Sequence, residues 1–152
     1  MRIILSILFS IQSIFLFGQN QDSIPTKEHD LHILKNFIHD LANDEIRADV
    51  ILSKYVIIEN PNDELYDYLE VSLDELRINL LSKKIEDIQY IPFAQMPRKD
   101  TRDIDLEELD SNRVYFLHYR NRQVVALYLA QDKIASFTLV SKGNNKAHFV
   151  LY

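Results

Sequence analysis

Near Glu86 the spacing of apolar residues changes, and that change divides the chain into two kinds of structure. Before it, apolar residues recur at the three-and-four spacing of a helix face. After it, they alternate or run together as they do in strands. Thr26 is placed to cap a helix starting at Lys27, with Glu28 and Asp30 in the first turn, where the helix dipole favours acids. Leu31, Leu34, Phe37, Ile38 and Leu41 then share one face. Asn43 or Asp44 opens a second helix that carries Ile46, Val50, Leu52 and Tyr55, and the β-branched run Val56-Ile57-Ile58 reads as a short strand. Asn60-Pro61 followed by Asp63 and Glu64 signals a third helix start, and Leu65, Leu69, Leu73, Leu76 and Leu80 form its stripe. Ser72 and Glu75 also fit a capping box, so helix is expected on both sides of Ser72, in one piece or two.

Beyond Glu86, residues 87–95 read as a strand in which Pro92 marks an edge or a bend. Residues 97–110 read as a charged loop. Residues 113–119, 123–130, 133–141 and 146–152 then form a meander joined by short polar turns. Helices first and antiparallel strands last is an α+β layout, with N-terminal helices packed on a bent antiparallel sheet of about four to six strands. Pairing the last three strands puts Val125, Leu127, Leu129, Ile134, Thr138, Val140, Phe149 and Leu151 on one face. The other face then carries Val124, Ala126, Tyr128, Ala135, Phe137, Leu139, His148, Val150 and Tyr152. Both faces are largely apolar, whereas a sheet with one wet face alternates. Helices are expected over one face, and a second copy of the chain or another partner over the other.

Met1-Arg2, the apolar run at 3–17 and Gly18 have the pattern of a secretory signal peptide. The run is shorter than the roughly 20 apolar residues that span a bilayer. The expected organisation is a signal peptide at 1–18, a flexible tether at 19–26 and one α+β domain at 27–152, exported to the periplasm or the extracellular space. No stable membrane insertion is expected once the signal is cleaved. Leu16 departs from the usual small residue near a cleavage site, which leaves an uncleaved anchor as the alternative.

The chain has no cysteine, which removes disulfides, thiol nucleophiles and zinc–thiolate sites. After Gly18 only Gly143 remains, so no glycine-rich phosphate cradle can be built. A net charge of −6 argues against a nucleic-acid partner. No cofactor is expected.

The order of elements is a helix pair with 49–55 as its short second member, a short strand at 56–58, another helix, a bent strand and a meander. It resembles the nuclear-transport-factor-two-like superfamily, a cone-shaped α+β fold. The resemblance covers nearly all of residues 27–152 and rests on element order. It implies a pocket between helices and concave sheet, and pairing through the sheet. Some members are isomerases or dehydratases and many are binding modules, so the fold does not choose between them. No catalytic residue of that group maps onto this chain.

His29, His32 and His39 share the first helix with Asn36. However, His32 and His39 are two turns apart, about 10.5 Å at 1.5 Å per residue, and a solvated polar face is the simpler account. Asp100, Asp103, Asp105, Glu107, Glu108 and Asp110 crowd one loop, but Glu108 stands where a calcium loop needs glycine. A solvated loop is again the simpler account. The candidate pocket or interface residues are Tyr115, His118, Tyr128, Phe137, His148 and Tyr152, strand residues that combine aromatic bodies with polar tips. The expected function is a non-enzymatic binding or interaction module, homodimeric through the sheet face, holding a small apolar ligand or a protein partner. The alternative is a small pocket enzyme, of isomerase or dehydratase type, using a His/Asp or His/Tyr set. An inhibitor-type protein using the acidic loop is a third class.

Overall fold

The computed structural model describes residues 27–152; the expected signal peptide, tether and Thr26 cap fall outside the described residues. Three helices come first: α1 (Lys27–Ala42), α2 (Ala48–Tyr55) and α3 (Asp63–Leu80). The α1 stripe packs as its spacing requires, burying Ile33, Leu34, Phe37, Ile38 and Leu41 and leaving Leu31 half-buried at the margin.

Two helix starts differ from expectation. The Asn43 side chain accepts from the Glu45 amide at 3.0 Å and closes a turn rather than a cap, so α2 begins only at Ala48. The buried face of α2 carries Ala48, Ile51, Leu52 and Tyr55, and Val50, expected among the packed residues, faces outward at 47% exposure. In α3 the cap is Asn62, which accepts from the Leu65 amide at 2.8 Å, two residues after the expected Asn60. The helix then runs unbroken through Ser72. Its amides are already bonded within the helix, so the capping box has nothing to cap. The Ser72 hydroxyl instead bonds back to the Tyr68 carbonyl at 2.8 Å. Arg77 fastens α3 to the ends of its neighbours by donating to the Leu41 carbonyl at 2.9 Å and to the Ile46 carbonyl.

Four strands form an antiparallel sheet in the order β1 (Gln89–Pro92), β2 (Val114–Tyr119), β3 (Arg122–Ala130), β4 (Lys133–Ser136). Pro92 ends the edge strand, and residues Phe93–Gln95 curl into a single turn. A one-turn helix, α4 (Arg98–Thr101), lies in the charged loop. The expected strand 133–141 is broken after Ser136. Side chains take over the backbone bonding at the bend: the Tyr152 hydroxyl accepts from the Phe137 amide at 3.0 Å and contacts the Thr138 hydroxyl at 2.5 Å. β5 (Leu139–Gly143) and β6 (Lys146–Phe149) then pair as a separate hairpin. Val56-Ile57-Ile58 is reduced to a single parallel bridge from Val56 to Ile134.

The break also reassigns the faces. Tyr115, Leu117, Val125, Leu127, Leu129, Ile134, Phe137 and Tyr152 face the helices in the main core. Val114, Phe116, Ala126 and Phe149 face the other way, with Tyr128 and Leu139 packed against them. Phe137 and Tyr152 on one side and Phe149 on the other therefore exchange the sides expected from an unbroken strand. This second face is apolar, as expected, but the chain covers it itself. Met96 is buried there, and Phe93, Ile104, Leu106 and Leu109 pack around it as a strap. The strap is latched to β6: Ala147 donates to Asp103 at 2.9 Å and accepts from the Asp105 amide at 2.8 Å. Among the described residues, this strap packs over the face where a second copy or another partner was expected. Among the described residues no helix is long and apolar enough to cross a membrane.

Candidate functional site

A concavity of about 610 Å³ lies between α1 and the chain entering β1. One wall is Leu31, Lys35 and His39 at successive four-residue steps along α1, with Asn36 beside them. The other wall is Ile85, Glu86, Ile88 and Tyr90, where Ile88 and Tyr90 share a strand face by alternation. Leu31, Ile85, Ile88 and the Tyr90 ring make an apolar floor, with Lys35, Asn36, His39 and Glu86 at the rim. Burial pushes the Tyr90 phenol up to about 12, so it stays a neutral donor at physiological pH. The phenol makes no hydrogen bond among the described residues. Asn36 is held by His32 at 3.0 Å, and the His39 ring contacts Asp40 at 3.3 Å. This floor can seat an apolar body, and Tyr90 can donate to one acceptor on it.

A second, smaller cleft of about 360 Å³ has Asp30, Arg113 and Tyr115 in its wall, with Lys27, Gln95 and Asn112 nearby. Asp30 is 1% exposed. It accepts from Arg113 at 2.7 Å and from the Tyr115 hydroxyl at 3.0 Å. Arg113 also donates to the carbonyls of Leu129, at 3.4 Å, and Gln131. Burial raises the Asp30 carboxyl above its ordinary range, and Tyr115 and then Arg113 pull it partway back. Burial and then the bond to Asp30 push the Tyr115 phenol well above its usual range. Each of the three guanidinium nitrogens of Arg113 and the Tyr115 hydroxyl meets an acceptor, and the cluster is a joint that ties α1 to β2 and to the β3–β4 corner.

The six candidate residues do not converge on one cavity. Tyr115 belongs to that joint. His118 is half-buried, and its Nε2 is buried without a partner among the described residues. Tyr128 packs on Phe149 under the strap, with ring centroids 6.4 Å apart. Phe137 and Tyr152 do meet, at 5.1 Å, where they build the bend. His148 lies 3.9 Å from Glu107 in the strap latch. Residues missed at the sequence level are Tyr90, Ile88 and Lys35. The 88/90 alternation inside the expected strand was the available signal, but nothing local says which helix lies above it. Asn36 and His39, read as a solvated polar face, stand at the groove rim.

Among the described residues no group of three or more His, Asp or Glu side chains could hold a metal ion. In the acidic loop, Lys142 bonds both Asp105, at 3.3 Å, and Glu107. The Glu107 amide and then Lys142 hold the Asp105 carboxyl below its usual value. Comparison with family models, with curated proteins and with solved structures found no match to this chain. What fold and site define is therefore a class only: an α+β domain with a strapped sheet and an apolar groove between its first helix and its edge strand.

Proposed function

We propose that this protein is an exported, non-enzymatic binding module that holds a small apolar ligand in the α1–β1 groove. The observation that carries the reading is an apolar floor with one neutral, unpartnered hydroxyl, Tyr90. The groove volume lies within the roughly 300–1,000 Å³ usual for small-molecule sites. The charged start and apolar run at 1–17 support export. The order of helices and meander supports kinship with the cone-shaped superfamily as part of the same proposal.

The test is a titration with phenylnaphthylamine, a neutral apolar fluorophore. Saturable uptake at one site is expected, lost in Leu31→Arg with the circular dichroism spectrum unchanged. Uptake that does not saturate, or that is equal in Leu31→Arg, would overturn the proposal.

The second reading, a small pocket enzyme, is favoured by Asp30 and Tyr115 standing 3.0 Å apart in a cleft wall. Against it, Asp30 is buried and both of its oxygens are occupied. The stability of Asp30 variants decides between a joint and a reactive group, as developed below.

A further inference from the structure

We propose that the outward face of α3 is a docking strip for a basic amphipathic helix of a partner protein. The inference does not depend on the groove reading. α3 turns Leu69, Leu73 and Leu80 into the core, as its stripe requires. The opposite side is also apolar: Tyr68 is 48% exposed, Val71 59%, Ile78 66% and, just past the helix end, Leu81 69%. Tyr68, Val71, Glu75 and Ile78 follow the alternating three-and-four spacing of a coiled-coil seam. Tyr68 to Leu81 spans about 20 Å at 1.5 Å per residue, the length of a partner helix of about four turns.

Charge chooses the occupant. Glu64, Asp67, Asp74 and Glu75 flank or interrupt the strip, and all are exposed. Arg77, the one basic residue in the α3 sequence, is turned inward, bonding the Leu41 and Ile46 carbonyls as well as Asp74. The strip therefore presents hydrophobes among acids with no base between them, and Glu75 makes no ion pair among the described residues. A lysine or arginine of the partner opposite Glu75 satisfies it, and further bases meet the flanking acids.

A second copy of this chain fits worse. Glu75 lies near the middle of the strip, so a parallel pairing sets it against its own copy. An antiparallel two-fold pairing sets it against Asp74 or Glu75 of the other chain. An anionic membrane surface is repelled by the same acids.

The test uses the intact protein and a labelled fourteen-residue peptide of leucine and lysine, with leucine at the seam positions, read by fluorescence anisotropy. Two control peptides carry the same composition with leucines scattered, and glutamate in place of lysine. Saturable binding of the first peptide alone is expected, weakening as salt rises. Ile78→Glu is expected to weaken it about tenfold or more, because the buried apolar contact is lost. Glu75→Lys is expected to weaken it as well, although it leaves the apolar contacts in place. Both positions are exposed, so the variants should retain the wild-type circular dichroism spectrum and melting point. Equal binding by either control peptide, or by the Ile78→Glu protein, overturns the proposal. So does self-association in sedimentation that Ile78→Glu abolishes, which would assign the strip to a second copy.

Discussion

Replacing Asp30 with alanine removes the one carboxylate in the buried joint that ties the first helix to the sheet. The cost follows from what is left behind. The Arg113 guanidinium, whose side chain is 10% exposed, loses its counter-charge at 2.7 Å. It keeps the Leu129 and Gln131 carbonyls, so the loss falls near the lower end of the ~3–5 kcal/mol for a broken buried pair. The Tyr115 hydroxyl, also buried, loses its acceptor, which contributes on the order of 1 kcal/mol. The sum, about 3–4 kcal/mol, is a large part of the ~5–15 kcal/mol that holds an ordinary domain together. Urea denaturation followed by circular dichroism should register it directly, and the melting point should fall by roughly 10–15 °C. Asp30→Asn keeps an acceptor oxygen for Tyr115 but still leaves Arg113 without its counter-charge, so it should recover only about 1 kcal/mol of the loss. A loss below about 1 kcal/mol for Asp30→Ala would refute the joint. It would return Asp30 and Tyr115 to the enzyme reading, because a carboxylate that does not hold the fold is free for chemistry.

Asp40 sets an acid limit. Burial works to raise its carboxyl, but hydrogen bonds from Lys54, Tyr55 and His39 outweigh burial and hold it at about 2, below its ordinary 3.8. A depressed carboxylate stabilises the fold fully above its unfolded value, and the contribution is lost as pH falls from about 4 through 2. Asp40→Asn should remove roughly 2 kcal/mol of that pH-dependent stability, read from denaturation curves at stepped pH. Asp30, raised by burial, works the other way: its contribution is full below the ordinary 3.8 and declines as pH rises through its native value, a slope that Asp30→Asn should flatten. Phe149→Ala should cost about 3–5 kcal/mol in chemical denaturation, because its ring is buried between sheet and strap beside Tyr128. Lys142→Ala should cost less than about 1 kcal/mol, since its ion pairs with Asp105 and Glu107 are exposed.

Local spacing was enough for the elements that bury one stripe against one neighbour. The α1 hydrophobes, the α3 leucines and the strands at 114–119 and 122–130 lie where their periods place them. So does the α+β order, because helix and strand periods need only nearby residues. The apolar character of both sheet faces was legible for the same reason. Helix starts were less so: Asn43 and Asn60 have the right chemistry, but a side-chain turn and a later asparagine compete for the same role. What covers a face, and where a strand bends, depended on distant partners. Tyr152 completes the bend at Phe137, and residues 93–109 close over Phe116 and Phe149. The Asp30–Arg113 pair joins residues 83 positions apart, and the groove brings Leu31 to Tyr90. Sequence by itself determined which residues seek burial and in what local form, because that follows from side-chain chemistry and backbone period. Only the tertiary structure decided which buried surfaces meet, because that depends on how whole layers pack, and it thereby placed the groove, the joint and the exposed strip of α3.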